Sequence, residues 1–440
     1  MNWLKVHAGG RFLMTEDGSP FFWLADTAWE LFHRLSREEI VFYLQKRADQ
    51  GFNVVLAVAL AEIDGLRTAN REGSYPLLID GQGCYDPCKP ACGEPGNYWD
   101  LIEFTLTEAA RRGIYIALLP TWGDKYNQRW GKGPEVFTPV NAETYGHWIG
   151  GRFGQHWNLV WVLGGDRPLD QRRHFEVVES MARGIRKSGS RHLMTFHPMG
   201  GASSSFHFPD ADWLDFHLIQ SGHGIDPAPH YEMIEKDYRL AVTKPVVEGE
   251  TNYEDHPIGF KAANGYFDQA DVRRSSWWAL LAGSMGITYG NHCVWPMRTR
   301  QDNLADPWSE NYFLMDWKSA LDRPGASQMT HMKALFESRG FFSRVPDQTL
   351  VVKNFEGLNH IQACRGIDYA FIYLPNGIGV TVRLGILEGK TVRVQWFDPR
   401  NGRFEKHMDI SNIGEAFFLP PHQGRDHDYV MVLDGLTGKP

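Results

Sequence analysis

The chain has few cysteines and no long apolar run. Five cysteines in 440 residues are too few, and odd in number, for a disulfide framework. No stretch of about 18 apolar residues occurs, so we expect no contact with a membrane interior. Residues 1–7 lack a basic region followed by an apolar core. We therefore expect a cytoplasmic protein, or an exported one only if a leader has been removed.

Runs of basic side chains are also missing. Acidic residues (53) outnumber basic ones (45), the net charge is −8, and no Lys/Arg cluster is long enough to follow a phosphate backbone. This composition excludes nucleic acid as an expected partner. It carries no signal for the oligomeric state.

Three of the cysteines, Cys84, Cys88 and Cys92, lie in one loop rich in glycine and proline. Three residues separate each pair, which differs from the C-x2-C spacing of structural zinc, although Asp86 would offer a fourth ligand. We expect reduced thiols in this loop. We also expect the protein to need neither a metal nor a cofactor.

One carboxylate follows a strongly apolar strand. Residues 159–163 carry no charge, as in a strand buried on both faces, and two glycines and Asp166 follow directly. Gly164 and Gly165 allow a tight turn and predict open space beside the acid. An alternative is that Asp166 caps a helix that begins with Arg167 and Pro168.

A second group of acids follows another short strand, residues 245–247. Glu248 and Glu250 are two apart, so in an extended chain their side chains share one face. Neighbouring acids repel unless one is neutral or separately bonded, and this arrangement separates their pKa values. Glu254 and Asp255 fit a solvated acidic loop better.

Strand and helix patterns alternate over the first three quarters of the chain. Eight strands separated mostly by helices predict a (β/α)8 barrel over residues 1–344, with its chemistry at the C-terminal strand ends. Residues 61–97 read as a long loop on that side. The predicted strands are 21–25, 52–60, 114–122, 159–163, 193–197, 213–220, 245–247 and 286–290, and the helices are 37–50, 98–112, 142–157, 172–187, 230–242, 270–285 and 318–338.

The remainder, residues 345–440, changes to a period of two. Short strands are predicted at 349–352, 370–374, 380–384, 392–396 and 429–433, with Pro/Gly/Asn turns between them. This pattern predicts a small C-terminal antiparallel β-sandwich.

Tryptophan is abundant, with 16 residues in the chain. Flat indole faces stack on the apolar C–H surface of sugar rings. Each tryptophan taken singly is more often part of a core. Six lie near predicted strand ends: Trp23, Trp29, Trp122, Trp161, Trp295 and Trp308.

Three motifs carry a resemblance to a known family. They are residues 24–31 around Asp26 and Trp29, residues 161–166 ending at Asp166, and residues 244–250 followed by Tyr253 and Glu254. Together they resemble the apiosidase-like glycoside hydrolases, also called DUF4038. The resemblance covers essentially the whole chain. It implies a (β/α)8 barrel with a C-terminal collagen-binding-like β-sandwich.

The resemblance implies a retaining glycoside hydrolase acting on oligosaccharides, with a bias toward plant cell-wall glycans. Asp166 corresponds to the acid/base and Glu250 to the nucleophile, while Glu248 is a neighbour that supports Glu250. A retaining enzyme is expected to place the two carboxyls about 5 to 5.5 Å apart, and an inverting one about 6.5 to 9.5 Å. Related barrels have Asn-Glu where this chain has Gly165-Asp166, so another group must contact the sugar 2-hydroxyl.

Further polar and aromatic residues at predicted strand ends describe a pocket suited to a sugar. Asp26 is either a sugar contact or a capping residue, and we favour the contact. The other expected substrate contacts are Trp29, Trp122, His197, His217, Gln220, Glu248, Asn291 and Trp295.

Two alternatives remain open. One is a metal-dependent hydrolase on the same barrel, prompted by His192, His197, His207, His217 and His223. It lacks the His-x-His pair that such enzymes place near the first strand. The other is a carbohydrate-binding relative that has lost activity, although both carboxylates are present.

Overall fold

The structure, a computed structural model, describes residues 2–225, 230–299 and 313–436. Its strands up to residue 290 are β1 (Leu4–Val6), β2 (Leu13–Thr15), β3 (Pro20–Phe21), β4 (Trp23–Thr27), β5 (Val54–Val58), β6 (Leu77–Ile79), β7 (Tyr85–Pro90), β8 (Tyr115–Leu119), β9 (Leu159–Gly164), β10 (Met194–His197), β11 (Ala202–Ser203), β12 (His217–Gln220), β13 (Val246–Glu250) and β14 (Gly286–Tyr289).

The helices surround these strands. They are α1 (Leu31–Arg34), α2 (Arg37–Asp49), α3 (Tyr98–Arg111), α4 (Pro139–Phe153), α5 (Arg172–Lys187), α6 (Ser204–His207), α7 (His230–Tyr238), α8 (Gln269–Leu281), α9 (Trp317–Ala320) and α10 (Pro324–Glu337). Short 3₁₀ turns occur at Gly123–Lys125, Ile258–Phe260, Ala262–Asn264, Phe341–Ser343, Gln348–Leu350 and Gly357–Asn359. Among the described residues, no helix has both the length and the apolar character needed to cross a membrane.

The main sheet is the predicted (β/α)8 barrel. Its strand order is β10-β9-β8-β5-β4-β14-β13-β12-β11, and neighbouring strands are parallel except for the short antiparallel β11. Parallel strands joined by right-handed crossovers bring all their C-terminal ends to one face. Asp166 follows β9 and Glu250 ends β13, so both lie at that face.

Both faces of the barrel strands are buried, which explains their uninterrupted apolar sequences. In β5, Val54, Leu56 and Val58 pack in the cluster that fills the barrel, whereas Val55 and Ala57 pack in the cluster shared with the outer helices. Alternate residues of a strand point to opposite faces, so one run of five residues supplies both cores.

Helix boundaries follow local capping chemistry. Ser36 opens α2 with a capping box, in which Glu39 bonds back to the Ser36 amide. Gly51, just beyond the end of α2, has φ +80°, the conformation that stops a helix and favours glycine. These signals explain why the predicted bounds of α2 agree closely with the structure.

The C-terminal part contains β15 (Val345–Pro346), β16 (Gln362–Arg365), β17 (Tyr369–Leu374), β18 (Val380–Arg383), β19 (Thr391–Asp398), β20 (Arg403–Ser411), β21 (Glu415–Phe418) and β22 (Tyr429–Leu436). Six of these strands form an antiparallel sheet in the order β15-β16-β17-β22-β19-β20, and β18 pairs with β21. Val380 and Phe418 of the two-stranded sheet share an apolar cluster with Trp396 and Met431 of the six-stranded one. The predicted β-sandwich is therefore present.

Buried charges join the two parts. Arg273 of α8 is fully buried and binds Asp428 and Asp426 in the segment before β22. Trp277, one turn further along α8, stacks on Tyr373 of β17 with 5.8 Å between ring centroids. The barrel helix α8 therefore supports the sandwich directly.

Several predicted elements differ from the structure. The predicted strand at 349–352 is a 3₁₀ turn, Gln348–Leu350, followed by one isolated bridge from Val351 to Val382. The predicted helix at 318–338 is divided into α9 and α10 because Pro324 starts a new helix at its first position. The loop at 61–97 contains the hairpin β6–β7. Strands β20 and β21 were not predicted, since their exposed polar residues weaken the alternating pattern. Strand β16 was not predicted either, and it is short and buried.

Candidate active site

Asp166 lies in a strained turn at the end of β9. Gly164 has φ +93° and Gly165 φ +120°, and Asp166 itself has φ +43°, which is uncommon for a residue with a side chain. A side chain at Gly165 would meet the Trp122 ring 2.8 Å away, so the expected open space beside the glycines is filled. The capping alternative is wrong, because the next helix begins at Arg172.

The Asp166 carboxyl is the most accessible of the buried acids at the mouth, with 28% of its side chain exposed. Its Oδ2 accepts from Trp130 Nε1 and from Arg167 Nη1, each at 3.4 Å, and the Gln220 amide is also within hydrogen-bonding reach. Burial raises the pKa of Asp166, and the negative charge of Glu250 raises it further. Asp166 is therefore biased toward its protonated form.

Glu248 and Glu250 both belong to β13, but they do not share a face as predicted. Ile219 pairs with Glu248 and Gln220 pairs with Glu250, so Gly249 is an extra residue in β13. Such a bulge rotates the following side chain relative to the regular alternation. Glu250 consequently turns into the barrel mouth, while Glu248 stays on the helix side.

Four neighbours surround the Glu250 carboxylate. His197 Nε2 lies 3.1 Å from Oε2, and Oε1 is 3.1 Å from both His223 Nε2 and the Gln220 Nε2 donor. The Tyr253 hydroxyl is also within hydrogen-bonding reach. Burial alone raises the pKa of Glu250, but the hydrogen bonds from the two histidines outweigh it and lower the pKa to about 2. Glu250 is therefore ionised at neutral pH.

The second ring nitrogens of these histidines fix their roles. His223 Nδ1 accepts from the Tyr253 amide at 3.3 Å, so its Nε2 carries the hydrogen that faces Glu250. His197 Nδ1 lies 3.0 Å from the Pro198 carbonyl, so both neighbours of the His197 ring are acceptors.

Aromatic rings form the floor under Glu250. Trp29 packs against Trp122 at 4.9 Å and edge-on against His197 at 5.3 Å between ring centroids. Trp29 Nε1 donates to the Tyr253 hydroxyl at 3.2 Å. Both indoles are 3% exposed, so they support His197 and Tyr253 and leave little of their own faces free.

Glu248 is fully buried away from this floor. Its Oε1 accepts from the Ser221 amide at 3.3 Å, and its Oε2 lies 3.8 Å from His230 Nδ1 at the start of α7. Ser221 directly follows Gln220. Glu248 therefore holds the chain next to the amide that contacts both Asp166 and Glu250.

Asp26 lies outside the candidate site. Its Oδ2 accepts from Arg47 Nε at 2.6 Å and from the Tyr43 hydroxyl at 2.5 Å, and both partners belong to α2. Asp26 and Arg47 are both completely buried between the barrel and its helices. The predicted sugar contact does not fit this position.

His217 and Asn291 also lie away from the two carboxylates. His217 starts β12 and pairs with the first residue of β13, so it is near the opposite end of the strand, and its Nδ1 faces Ser204. Asn291 donates to Asp255 at 2.8 Å and shapes the loop after β14. Trp295 is half-buried and donates to His292. Trp308 is outside the described residues.

The acids after β13 are structural as well. Glu254 accepts from the Tyr289 hydroxyl at 2.6 Å and Asp255 binds Arg323 at 2.5 Å. Both acids are buried, at 0% and 1% exposure, so the predicted solvated loop is wrong. They fix the segment that carries Tyr253.

Three residues at the mouth were not predicted. Arg167 is completely buried and binds Glu62 at 2.5 Å, and its guanidinium lies over the Trp130 ring at 4.7 Å. Burial, partly offset by Arg167, raises the pKa of Glu62 to about 7. Only Arg167 had a sequence signal, since it adjoins Asp166. Glu62 and Trp130 come from loops whose paths the sequence does not reveal.

The five histidines behind the metal alternative do not converge on one point. His197 and His223 face Glu250, His192 bonds to Ser190 and the His156 carbonyl, His207 packs on Phe196, and His217 faces Ser204. Within the described ranges, no three His, Cys, Asp or Glu side chains are grouped as metal ligands. Cys84, Cys88 and Cys92 are exposed free thiols.

The mouth of the barrel therefore holds two acids with different protonation states. Asp166 is biased toward its protonated form, and Glu250, which accepts from the Gln220 amide, is ionised. Two carboxyl groups with opposite protonation preferences can act as a proton donor and an anion in one reaction.

Comparison with known proteins identifies the class. Residues 7–343 match the family described as "Apiosidase-like, catalytic domain", and residues 345–434 match "Putative collagen-binding domain of a collagenase". The chain therefore belongs to the apiosidase-like family and is a glycoside hydrolase. No curated protein matches it significantly.

Solved structures agree with this assignment. A glycoside hydrolase family 5 protein from Bacteroides vulgatus is 29% identical, with a TM-score of 0.89 over 99% of this chain and 94% of that one. A structure titled "Glycoside hydrolase" is 28% identical, with a TM-score of 0.87 over 99% and 98%. Another Bacteroides vulgatus protein, at 14% identity and a TM-score of 0.71 over 99% and 82%, shows the shared fold alone.

Proposed function

We propose that this glycoside hydrolase cleaves oligosaccharides with retention of configuration, with Asp166 as acid/base and Glu250 as nucleophile. One observation carries the proposal: two neighbouring carboxylates have pKa values displaced in opposite directions, up at Asp166 and down at Glu250. Glycoside hydrolysis needs one carboxyl that gives a proton and one that stays ionised.

In the first step, a Glu250 oxygen attacks the anomeric carbon while the bond to the leaving oxygen breaks. Asp166 gives its proton to that oxygen, so the leaving group departs as a neutral alcohol. Glu250 loses its charge on attack, and the raised pKa of Asp166 falls toward normal because that charge no longer opposes its ionisation. The acid is thereby converted into the base that the next step requires.

In the second step, Asp166 takes a proton from water, and the water oxygen attacks the anomeric carbon. The bond to Glu250 breaks, and its carboxylate returns to the hydrogen bonds from His223 and Gln220. Two inversions at one carbon give net retention. A retaining mechanism requires the two carboxyls to lie about 5 to 5.5 Å apart, close enough for Glu250 to raise the pKa of Asp166 as it does.

Substrate contacts are proposed from the same geometry. Gln220, between the carboxylates, is placed to bond a sugar hydroxyl that replaces one of its present contacts, and it is our candidate for the missing asparagine. Trp29 and Trp122 pack against each other and against His197, and Glu248 holds Ser221 next to Gln220. Trp295, half-buried after β14, stays a candidate contact. The apiosidase-like family favours plant cell-wall glycans as the source of the oligosaccharide.

Hydrolysis of an aryl-glycoside panel tests the assignment. We expect the wild type to cleave at least one glycoside, and Asp166→Asn and Glu250→Gln to lose that activity. Full activity in both variants would refute the roles. If the wild type binds sugars but cleaves none of the glycosides, the protein is a carbohydrate-binding relative without activity.

Azide rescue separates the two carboxylates. Glu250→Gly with azide is expected to form a glycosyl azide of inverted configuration, because azide then attacks in place of the nucleophile. Asp166→Gly is expected to give the retained azide, since the glycosyl-enzyme still forms. Glu248→Gly is the matched control, and an inverted azide from that variant would transfer the nucleophile role to Glu248.

A further inference from the structure

An exposed indole stands beside the proton donor. Trp130 lies in the segment between the 3₁₀ turn at Gly123–Lys125 and α4, and 42% of it is exposed. Its Nε1 points at Asp166 Oδ2 from 3.4 Å. What distinguishes Trp130 from other exposed aromatic residues is its contact with Asp166, because a flat indole beside that carboxyl is available to stack on a sugar ring.

The buried Arg167 side chain packs against one face of the Trp130 indole. The Arg167 guanidinium lies 4.7 Å from the Trp130 ring centroid and covers one face, and Arg167 Nε donates to the Trp130 carbonyl at 3.0 Å. Arg167 is itself completely buried and fixed by Glu62. The exposed part of the ring is therefore turned away from the guanidinium, toward the mouth.

The chain after Trp130 is shaped to allow this packing. Gly131 has φ +95°, and a side chain there would meet Arg167 Nη2 and the Asp124 side chain. Asp124 in turn accepts from the Gly133 amide at 2.7 Å. The loop is thus tied to the barrel on both sides of the indole, and little ordering entropy would be lost when a ligand stacks on it.

We propose that Trp130 is the platform for the leaving group, and that this enzyme accepts substrates whose departing oxygen carries a sugar ring. The inference rests on the proposed role of Asp166. The proton of a general acid goes to the leaving oxygen, so the group attached to that oxygen lies next to the acid. The indole is the flat apolar surface adjoining Asp166, and sugar rings stack on such surfaces.

Two roles of Trp130 need to be separated. Stacking acts on the leaving-group ring, whereas the N–H bond to Asp166 acts on proton donation. Trp130→Ala removes both, and Trp130→Phe removes only the N–H. Three substrates with one glycone separate them further: a disaccharide has a ring and needs a proton, a methyl glycoside needs a proton but has no ring, and a glycosyl fluoride needs neither.

We expect Trp130→Ala to lower kcat/KM on the disaccharide by at least about tenfold, chiefly through KM, and to change the methyl glycoside and fluoride by less than about threefold. Trp130→Phe is expected to restore the preference for the disaccharide over the methyl glycoside. The glycone is the one that the aryl-glycoside panel identifies, and circular dichroism melts check that each variant folds.

Three outcomes would overturn the inference. Equal losses on the disaccharide and methyl glycoside would reduce Trp130 to a positioning residue for Asp166. Equal losses on all three substrates would indicate damage to the whole site, and no loss on any would show that the ring does not contact substrate. In each case a wild type that cleaves the glycosides leaves the proposed function intact, whereas a wild type that cleaves none of them refutes both.

Discussion

Asp26 and Asp166 occupy comparable places at the C-terminal ends of barrel strands, yet their surroundings differ completely. Asp26 ends the apolar part of β4 and is paired with Arg47 in the layer between barrel and helices. Asp166 follows β9 and has 28% of its side chain exposed at the mouth. Both have raised pKa values because of burial, but only Asp166 has a second carboxylate, Glu250, among the causes.

The difference shows what turns a strand-end acid into a candidate catalyst. Asp26 Oδ2 accepts hydrogen bonds from the Arg47 guanidinium and the Tyr43 hydroxyl, both of α2, and these bonds hold the Asp26 side chain in place. The hydrogen bonds to Asp166 from Trp130 and Arg167 are long, at 3.4 Å each, and a backbone in the left-handed region turns Asp166 away from the strand direction. A group without a strong internal partner remains available to a substrate.

The largest expected effect is on catalysis at Asp166. Asp166→Asn is expected to lower kcat/KM on the disaccharide by a factor of about 10² to 10⁴, the usual contribution of general acid–base catalysis. Asparagine tolerates φ near +43°, so the turn is kept. The melting temperature is expected to stay the same or rise, because a carboxyl with a raised folded pKa costs stability above its unfolded pKa. A large fall in melting temperature would contradict this account.

The next effect is on stability at Asp26. Asp26→Asn removes a carboxyl whose burial raises its pKa, but unlike Asp166→Asn it also leaves a fully buried Arg47 without its charge partner. The second effect is expected to dominate and to reduce the free energy of unfolding by about 3 to 5 kcal/mol. Activity per folded molecule is expected to be unchanged. Denaturant melts and active-site-normalised rates measure the two quantities. The double variant Asp26→Asn with Arg47→Met is expected to recover part of the lost stability. A loss of kcat in Asp26→Asn without a matching loss of folded protein would contradict this account and place Asp26 in the active site.

A smaller effect is expected on the pH profile. Glu62 shares Arg167 with Asp166, and its pKa is about 7. Glu62→Gln releases the Arg167 charge to act on Asp166, which lowers the pKa of Asp166 and moves the alkaline limb of kcat/KM to lower pH. Glu176→Gln, in an exposed pair with Arg172, is the matched control. A shift to higher pH, or none, would contradict the shared-cation arrangement.

The smallest effect is expected at a pair that resembles Asp26 and Arg47 in chemistry but is solvated. Arg393 binds Asp409 with two contacts of 2.9 and 3.0 Å on the surface of the C-terminal sheet. Exposed ion pairs contribute little because water and salt screen them. Asp409→Asn is expected to leave both the melting temperature and activity unchanged. A loss comparable with that of Asp26→Asn would show that burial is not the deciding variable.

The barrel was predictable from sequence because its strands are buried on both faces and its helices carry capping signals. Uninterrupted apolar runs such as those of β5 and β9 mark such strands. The sandwich was harder, since β20 is largely exposed and its sequence, Arg403–Ser411, does not alternate clearly. The alternation of apolar and polar residues in a sequence reflects which side chains are buried. An exposed edge strand buries few side chains, so its sequence shows little alternation.

The site was predictable only where the chain order itself placed a residue at a strand end. Asp166, Glu250, His197 and Gln220 were found in this way, and the structure brings them together. The same reasoning predicted substrate contacts at Asp26, His217 and Asn291, whose side chains instead face Arg47, Ser204 and Asp255. Position along a strand gives the end of the barrel, but it does not give the direction of the side chain.

The sequence by itself determined the barrel, the sandwich and the two acids that lie at one mouth. Tertiary structure alone decided which carboxylate of Glu248 and Glu250 faces the other acid, because the bulge at Gly249 depends on pairing with β12. It also decided the charges, since burial and histidines from two other strand ends set the pKa of Glu250 at about 2. These properties arise from residues far apart in the chain, and local sequence carries no record of which distant groups will meet.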